Sequence, residues 1–119
     1  KRKIFLCICL FNCTLKMTDT LPITDKTFVE KLIPQKFPFV MVDKLISFSD
    51  TMIVAGLTVP EGNIFVKGTS FQESGLIEHM AQSVALYTGY QYFLKDETPP
   101  TGYIGSIKTV EIFQLPEVK

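Results

Sequence analysis

The longest hydrophobic pattern in the chain lies between residues 73 and 90, where apolar and small side chains recur at spacings of three and four. The stripe consists of Leu76, Ile77, Met80, Ala81, Val84 and Thr88. This period predicts an amphipathic helix, and we expect the stripe to be its buried face. Glu78 and Gln82 lie one helical turn apart on an adjoining stripe. A carboxylate beside a buried face needs a partner or a function, so this pair is a candidate site.

Shorter patterns precede the long helix. Thr24 or Asp25 can cap a short helix that ends at Pro34. Residues 40–48 and 51–59 are rich in β-formers and are separated by a turn, which predicts two strands of an antiparallel hairpin. A brief extended piece and a loop are expected at residues 64–66 and 68–70.

The region after the long helix predicts a loop over residues 96–102 and one strand over residues 103–113. Three strands cover a long apolar helix poorly, and an open three-stranded sheet exposes its edges. We therefore predict an α+β domain that is incomplete at its C-terminus, with further strands expected downstream.

Composition narrows the classes of function. The formal net charge is zero, but residues 17–119 contain eight basic and twelve acidic side chains. An acidic body without a basic cluster argues against nucleic acid as the partner. All three cysteines lie within the first thirteen residues, and the chain has one histidine. We therefore expect no disulfide framework, no metal site and a reducing, cytoplasmic environment.

The first sixteen residues differ in composition from the rest. A basic tripeptide, residues 1–3, precedes the apolar run 4–11, as in a short signal peptide, but no small-x-small cleavage site follows. The run is too short to span a bilayer, so we expect no membrane partner. We interpret residues 1–16 as a signal-like leader or as sequence upstream of a true start at Met17. The domain is then expected to occupy residues 17–119.

Three segments, in order, resemble the hot-dog-fold β-hydroxyacyl-acyl carrier protein dehydratases. Residues 32–44, LIPQKFPFVMVDK, resemble the family segment LPHRYPFLLVDRV. Residues 77–82, IEHMAQ, resemble the helical segment LEAMAQ, and residues 105–108, GSIK, resemble the GIDK strand. The resemblance implies a hot-dog fold, in which an antiparallel sheet wraps a long central helix. The chain also resembles a divergent branch of dehydratase-like proteins, which is found beside aryl-polyene-type and other specialised fatty-acid gene clusters.

The resemblance implies loss of water from a 3-hydroxyacyl thioester carried by acyl carrier protein, without a cofactor, in fatty-acid or polyene-type lipid biosynthesis. Glu78 matches the family's catalytic acid and Gln82 matches its helical glutamine. A backbone N–H near the helix start would polarise the thioester carbonyl. We assign substrate contacts to Gln82, Asn63, Phe65 and Gly75, and expect the acyl tail in an apolar tunnel beside the helix. The family's active sites form between two subunits, which implies a homodimer or a heterodimer.

The family's second catalytic group, the histidine of a GHFP motif, has no counterpart here. Residues 63–71 contain no imidazole, and His79 points about 100° away from Glu78 around the helix. We interpret His79 as a polar or interface residue. One hypothesis is that this chain supplies Glu78 and a second hot-dog subunit supplies histidine, and a weaker one is that Asn63 or Thr69 substitutes. The alternatives are a catalytically incomplete acyl-binding or heterodimer subunit and, less favoured, a thioesterase.

Overall fold

The fold is α+β, with one long helix and two small antiparallel sheets, in a computed structural model that describes residues 3–9 and 21–118. In chain order the elements are β1 (Lys3–Cys9), α1 (Lys26–Lys31), β2 (Lys44–Ser49), β3 (Met52–Thr58), β4 (Val66–Lys67), β5 (Ser70–Phe71) and α2 (Glu73–Phe93). Of the segment expected as a leader, residues 3–9 form β1. The remaining leader residues and Met17 lie outside the described residues.

The larger sheet has the strand order β1-β3-β2, and both pairs are antiparallel. The predicted hairpin is confirmed as β2 and β3. Its first strand begins at Lys44 rather than at residue 40. The Asp43 carboxylate accepts a hydrogen bond from Thr58 N–H at 2.9 Å and pairs with Lys44 Nζ at 2.6 Å. These two bonds fix the start of the hairpin, and they leave residues 40–42 free to contact α2.

The short helix α1 is confirmed and begins after Asp25. The Asp25 Oδ1 atom accepts hydrogen bonds from Thr27 N–H and Phe28 N–H at 2.9 and 3.3 Å. Asp25 thus satisfies two N–H groups that have no partner inside the helix. Val29 is fully buried, so its side of this short helix faces the core.

The long helix α2 is confirmed, but the prediction of its buried face is wrong. Met80 and Val84 from the expected face are 39% and 43% exposed. The buried positions on α2 are instead Gly75, His79, Gln82, Ser83, Leu86, Gly89 and Tyr90. Polar side chains can occupy this face because they hydrogen-bond inside the protein, as with the Ser83 hydroxyl, which donates to the His79 carbonyl at 2.7 Å. Met80 and Val84 therefore remain accessible, whereas Leu76 from the same stripe packs against the core.

The core consists of two clusters, one that includes Leu86 and Tyr90 of α2 and one against which Leu76 of α2 packs. The larger cluster comprises Val29, Leu32, Ile33, Val42, Leu45, Phe48, Ile53, Ala55, Leu86 and Tyr90. The smaller cluster comprises Met41, Leu57, Val59, Phe71 and Val118. At Gly89, any Cβ would collide with the Leu32 carbonyl oxygen, so this glycine allows α2 to lie directly against the end of α1.

The prediction of a strand over residues 103–113 is wrong. Residues 97–116 form no regular element, and Tyr103 and Phe113 are 91% and 93% exposed. A strand requires a neighbouring strand for its backbone hydrogen bonds, and this segment has none among the described residues. At the start of the segment the Glu97 N–H donates to the Tyr92 carbonyl, and beyond its end the chain is anchored by the Ser70 and Glu117 bridge and the burial of Val118. Residues 68–70, expected as a loop, form a tight turn between β4 and β5, with Ser70 already in β5.

Candidate functional site

Gln82 is the centre of the candidate site. Its side chain is fully buried on α2 and makes three hydrogen bonds, which use both N–H groups and one lone pair of the oxygen. The amide oxygen accepts from Met41 N–H at 2.6 Å, and Nε2 donates to the Phe39 carbonyl at 2.5 Å and to Glu78 Oε1 at 2.6 Å. The groups bonded on residues 39 and 41 flank Val40, so the amide binds the segment much as a neighbouring strand would.

Glu78 lies one turn before Gln82 and is half-buried. Its Oε1 atom accepts the hydrogen bond from Gln82. Within residues 21–118, its second oxygen, Oε2, accepts no hydrogen bond. One carboxylate oxygen is therefore held in position while the other is available, an arrangement that suits proton transfer to or from a bound molecule.

His79, which was interpreted as a polar or interface residue, is a core residue with 1% exposure. Its Nδ1 atom lies 2.6 Å from the Met41 carbonyl oxygen, and a carbonyl can only accept, so Nδ1 carries the proton. Burial lowers the pKa of His79, although the bond to Met41 and the charge of Asp43 act in the opposite direction. The neutral ring leaves Nε2 as a buried acceptor without a partner among the described residues. The imidazole faces the core and is not accessible beside Glu78.

Three further residues were assigned from the sequence: Asn63 and Phe65 lie in the loop before β4, and Gly75 lies in the first turn of α2. The Asn63 Oδ1 atom accepts from Phe65 N–H at 2.9 Å, and its Nδ2 atom lies 3.4 Å from the sulfur of Met41. Phe65 packs edge-on against Phe71, with ring centroids 6.5 Å apart. The backbone N–H of Gly75 donates to the Gln72 carbonyl at 3.0 Å.

The absence of a side chain at Gly75 is a packing requirement. A Cβ there would lie 2.6 Å from the Cβ of Phe65 and 2.5 Å from the ring of Phe71. Gly75 thus brings the loop that carries Asn63 and Phe65 against the helix, one turn before Glu78. Asn63 is joined to Gln82 through Met41, whose sulfur contacts Asn63 Nδ2 and whose N–H donates to the Gln82 amide oxygen.

Sequence reasoning missed the part played by residues 39–41. Their role is carried by backbone N–H and C=O groups and by the Met41 sulfur, none of which depends on a characteristic side-chain pattern. The only signal was the resemblance of residues 32–44 to a family segment.

A shallow pocket of about 220 Å³ lies elsewhere, at the end of α2. Leu32, Gly89 and Phe93 form its apolar wall. Gly89 follows Glu78 by about three helical turns, or about 16 Å along the axis. This pocket therefore does not contain the candidate carboxylate, and the acyl tunnel expected beside the helix remains a prediction.

Two further properties of the described residues bear on function. Within residues 3–9 and 21–118, no group of three or more His, Cys, Asp and Glu side chains could hold a metal ion. No helix in the same part of the chain is both long and apolar enough to cross a membrane.

A long helix with a Glu and Gln pair, packed on a small antiparallel sheet, is compatible with a hot-dog-type dehydratase. A protein-family model described as ApeP dehydratase matches residues 27–114, which include Glu78, Gln82 and residues 39–41. The chain therefore belongs to the ApeP-like dehydratase family. No curated protein and no solved structure gives a significant match.

Proposed function

We propose that the protein is a 3-hydroxyacyl-[acyl carrier protein] dehydratase or the Glu-bearing subunit of one, in fatty-acid or polyene-type lipid biosynthesis. The observation that carries the proposal is the Glu78 carboxylate, held at one oxygen by Gln82 and available at the other, inside a dehydratase-family domain. The proposed fold is a hot-dog fold, and the proposed location is the cytoplasm.

In the proposed reaction, a base removes the α-proton of the 3-hydroxyacyl thioester. The electron pair of that C–H bond forms the double bond between Cα and Cβ. The Cβ–O bond breaks as Glu78, in its carboxylic acid form, gives its proton to the hydroxyl, which leaves as water. The base then releases the α-proton to solvent, and Glu78 takes up a proton before the next turnover. The product is a trans-2-enoyl thioester, and no oxidant, metal or organic cofactor is required.

The source of the base decides between the main proposal and its alternative. The chain has one histidine, His79, which is buried with its Nδ1–H bound to the Met41 carbonyl. This geometry favours a split site, in which Glu78 comes from this chain and an imidazole comes from a second hot-dog subunit. The alternative is an acyl-binding or heterodimer subunit that performs no proton transfer.

The exposed apolar face of α2 supports pairing with a second subunit. Met80 and Val84, which are more than a third exposed, lie one turn apart on α2, on the side of the helix that faces away from Glu78. An apolar face of this kind on a helix is typical of a surface that a partner covers. A homodimer and a heterodimer both fit this feature.

The test is dehydration of a 3-hydroxyacyl-acyl carrier protein by this protein, alone and with a hot-dog subunit that carries a catalytic histidine. Glu78→Gln should abolish turnover, whereas Glu73→Gln, on an exposed position of the same helix, should not. Turnover by the chain alone supports a self-sufficient enzyme. Turnover only with the second subunit supports the split site, and no turnover in either assay supports the non-catalytic alternative.

A further inference from the structure

We propose that Gln82 is a positioning residue, which directs a fixed N–H at Glu78 and so holds the carboxylate with Oε2 towards the substrate. This inference rests on the proposed function of Glu78. It replaces the expectation that Gln82 touches the substrate itself.

The burial of Gln82 and its existing hydrogen bonds argue against direct contact with the substrate. The Gln82 side chain has no exposed surface, and both Nε2 protons have acceptors, on Phe39 and Glu78. A substrate could reach this amide only by displacing one of those bonds. Any influence of Gln82 on the reaction must therefore pass through Glu78 or through the backbone of residues 39–41.

The backbone of residues 39–41 determines which way the amide faces. Met41 N–H is a donor and needs the amide oxygen, whereas the Phe39 carbonyl is an acceptor and needs an N–H. A flipped amide would oppose donor to donor at Met41 and acceptor to acceptor at Phe39. The orientation found is thus the only one that satisfies both groups, and it leaves the second N–H pointing at Glu78.

A kinetic double-mutant cycle separates positioning from a purely structural role. Glu78→Asp keeps a carboxylate but shortens the side chain by one methylene, which withdraws it from Gln82. Gln82→Met keeps the length of the side chain and removes its polar atoms. We expect Gln82→Met to lower kcat by about 10²-fold in the Glu78 background with little change in KM. It should lower kcat much less in the Glu78→Asp background, because the bond is already lost.

His79→Phe serves as the matched control. It removes the bond to the Met41 carbonyl and loosens the same backbone segment without touching Glu78. Its effect on kcat should be the same in both backgrounds. If Gln82→Met also acts equally in both backgrounds, the positioning inference is wrong, although the proposed function stands. If the parent chain shows no turnover with or without the second subunit, it is the proposed function that fails.

A second measurement does not depend on any of the buried variants folding. In ¹H–¹⁵N spectra, Glu78→Ala should shift one of the two Nε2 protons of Gln82 and speed its exchange with solvent. The backbone N–H of Met41 should keep its protection. Unchanged Gln82 signals would overturn the inference, because they would mean that Glu78 does not accept this hydrogen bond.

Discussion

Acidification should destabilise this protein through one residue, His79. Its ring is buried in the neutral form, and burial lowers its pKa below the ordinary value of 6.5. At pH values below 6.5 the His79 ring is protonated in the unfolded chain but stays neutral in the folded chain. The stability that comes from burying the neutral ring is therefore complete above pH 6.5, and it falls as the pH decreases towards the lowered pKa.

The size of the effect follows from linkage. One proton bound by the unfolded state alone changes the free energy of unfolding by about 1.4 kcal/mol per pH unit. Between neutrality and about pH 5.5 the loss is then at most about 1.4 kcal/mol. The hydrogen bond to Met41 and the charge of Asp43 favour the protonated ring, so they limit how far the decline continues.

The assay is urea unfolding at several values between pH 7 and about pH 5.5, with the slope m checked for constancy. The window is favourable because the chain has one histidine, and ordinary carboxyl groups titrate near pH 4. His79→Gln is the matched control, because its amide can donate to the Met41 carbonyl without titrating. The reasoning is refuted if the stability of the parent chain stays constant over this range, or if His79→Gln declines by the same amount.

Three further predictions concern packing, capping and association. Gly89→Ala should lower the free energy of unfolding by about 1–3 kcal/mol, because the clash with the Leu32 carbonyl outweighs the gain in helix propensity. The control Gly102→Ala, which has no heavy atom within 4 Å of the new Cβ, should change the free energy of unfolding by less than about 0.5 kcal/mol. Equal effects of the two substitutions would contradict the role given to the clash. Asp25→Ala should lower the free energy of unfolding, measured with urea, by about 1 kcal/mol, because two N–H groups of α1 lose their acceptor. An unchanged free energy of unfolding would show that water replaces the cap. Val84→Lys should leave stability nearly unchanged but weaken association in sedimentation experiments, and unaltered association would place the partner elsewhere.

Local patterns were sufficient for the elements that depend on neighbours in the chain. Helix α1 begins after Asp25, as the capping pattern predicts, because an N-cap acts on N–H groups two and three residues away. The hairpin and helix α2 were predictable for the same reason, since turn residues and helical periodicity are short-range properties. The resemblance of residues 32–44 and 77–82 to family segments also indicated the dehydratase family, which the family match confirms.

Only the tertiary structure decided which face of α2 is buried and what lies around the site. Hydrophobicity predicted burial of Met80 and Val84, but His79 and Gln82 take the interior because residues 39–41, some forty positions away, supply their hydrogen-bond partners. The segment 103–113 has the composition of a strand, yet a strand exists only where another strand completes its hydrogen bonds. The sequence by itself determined the residue types and local elements, whereas the partners of each polar group depended on contacts that the folded chain alone creates.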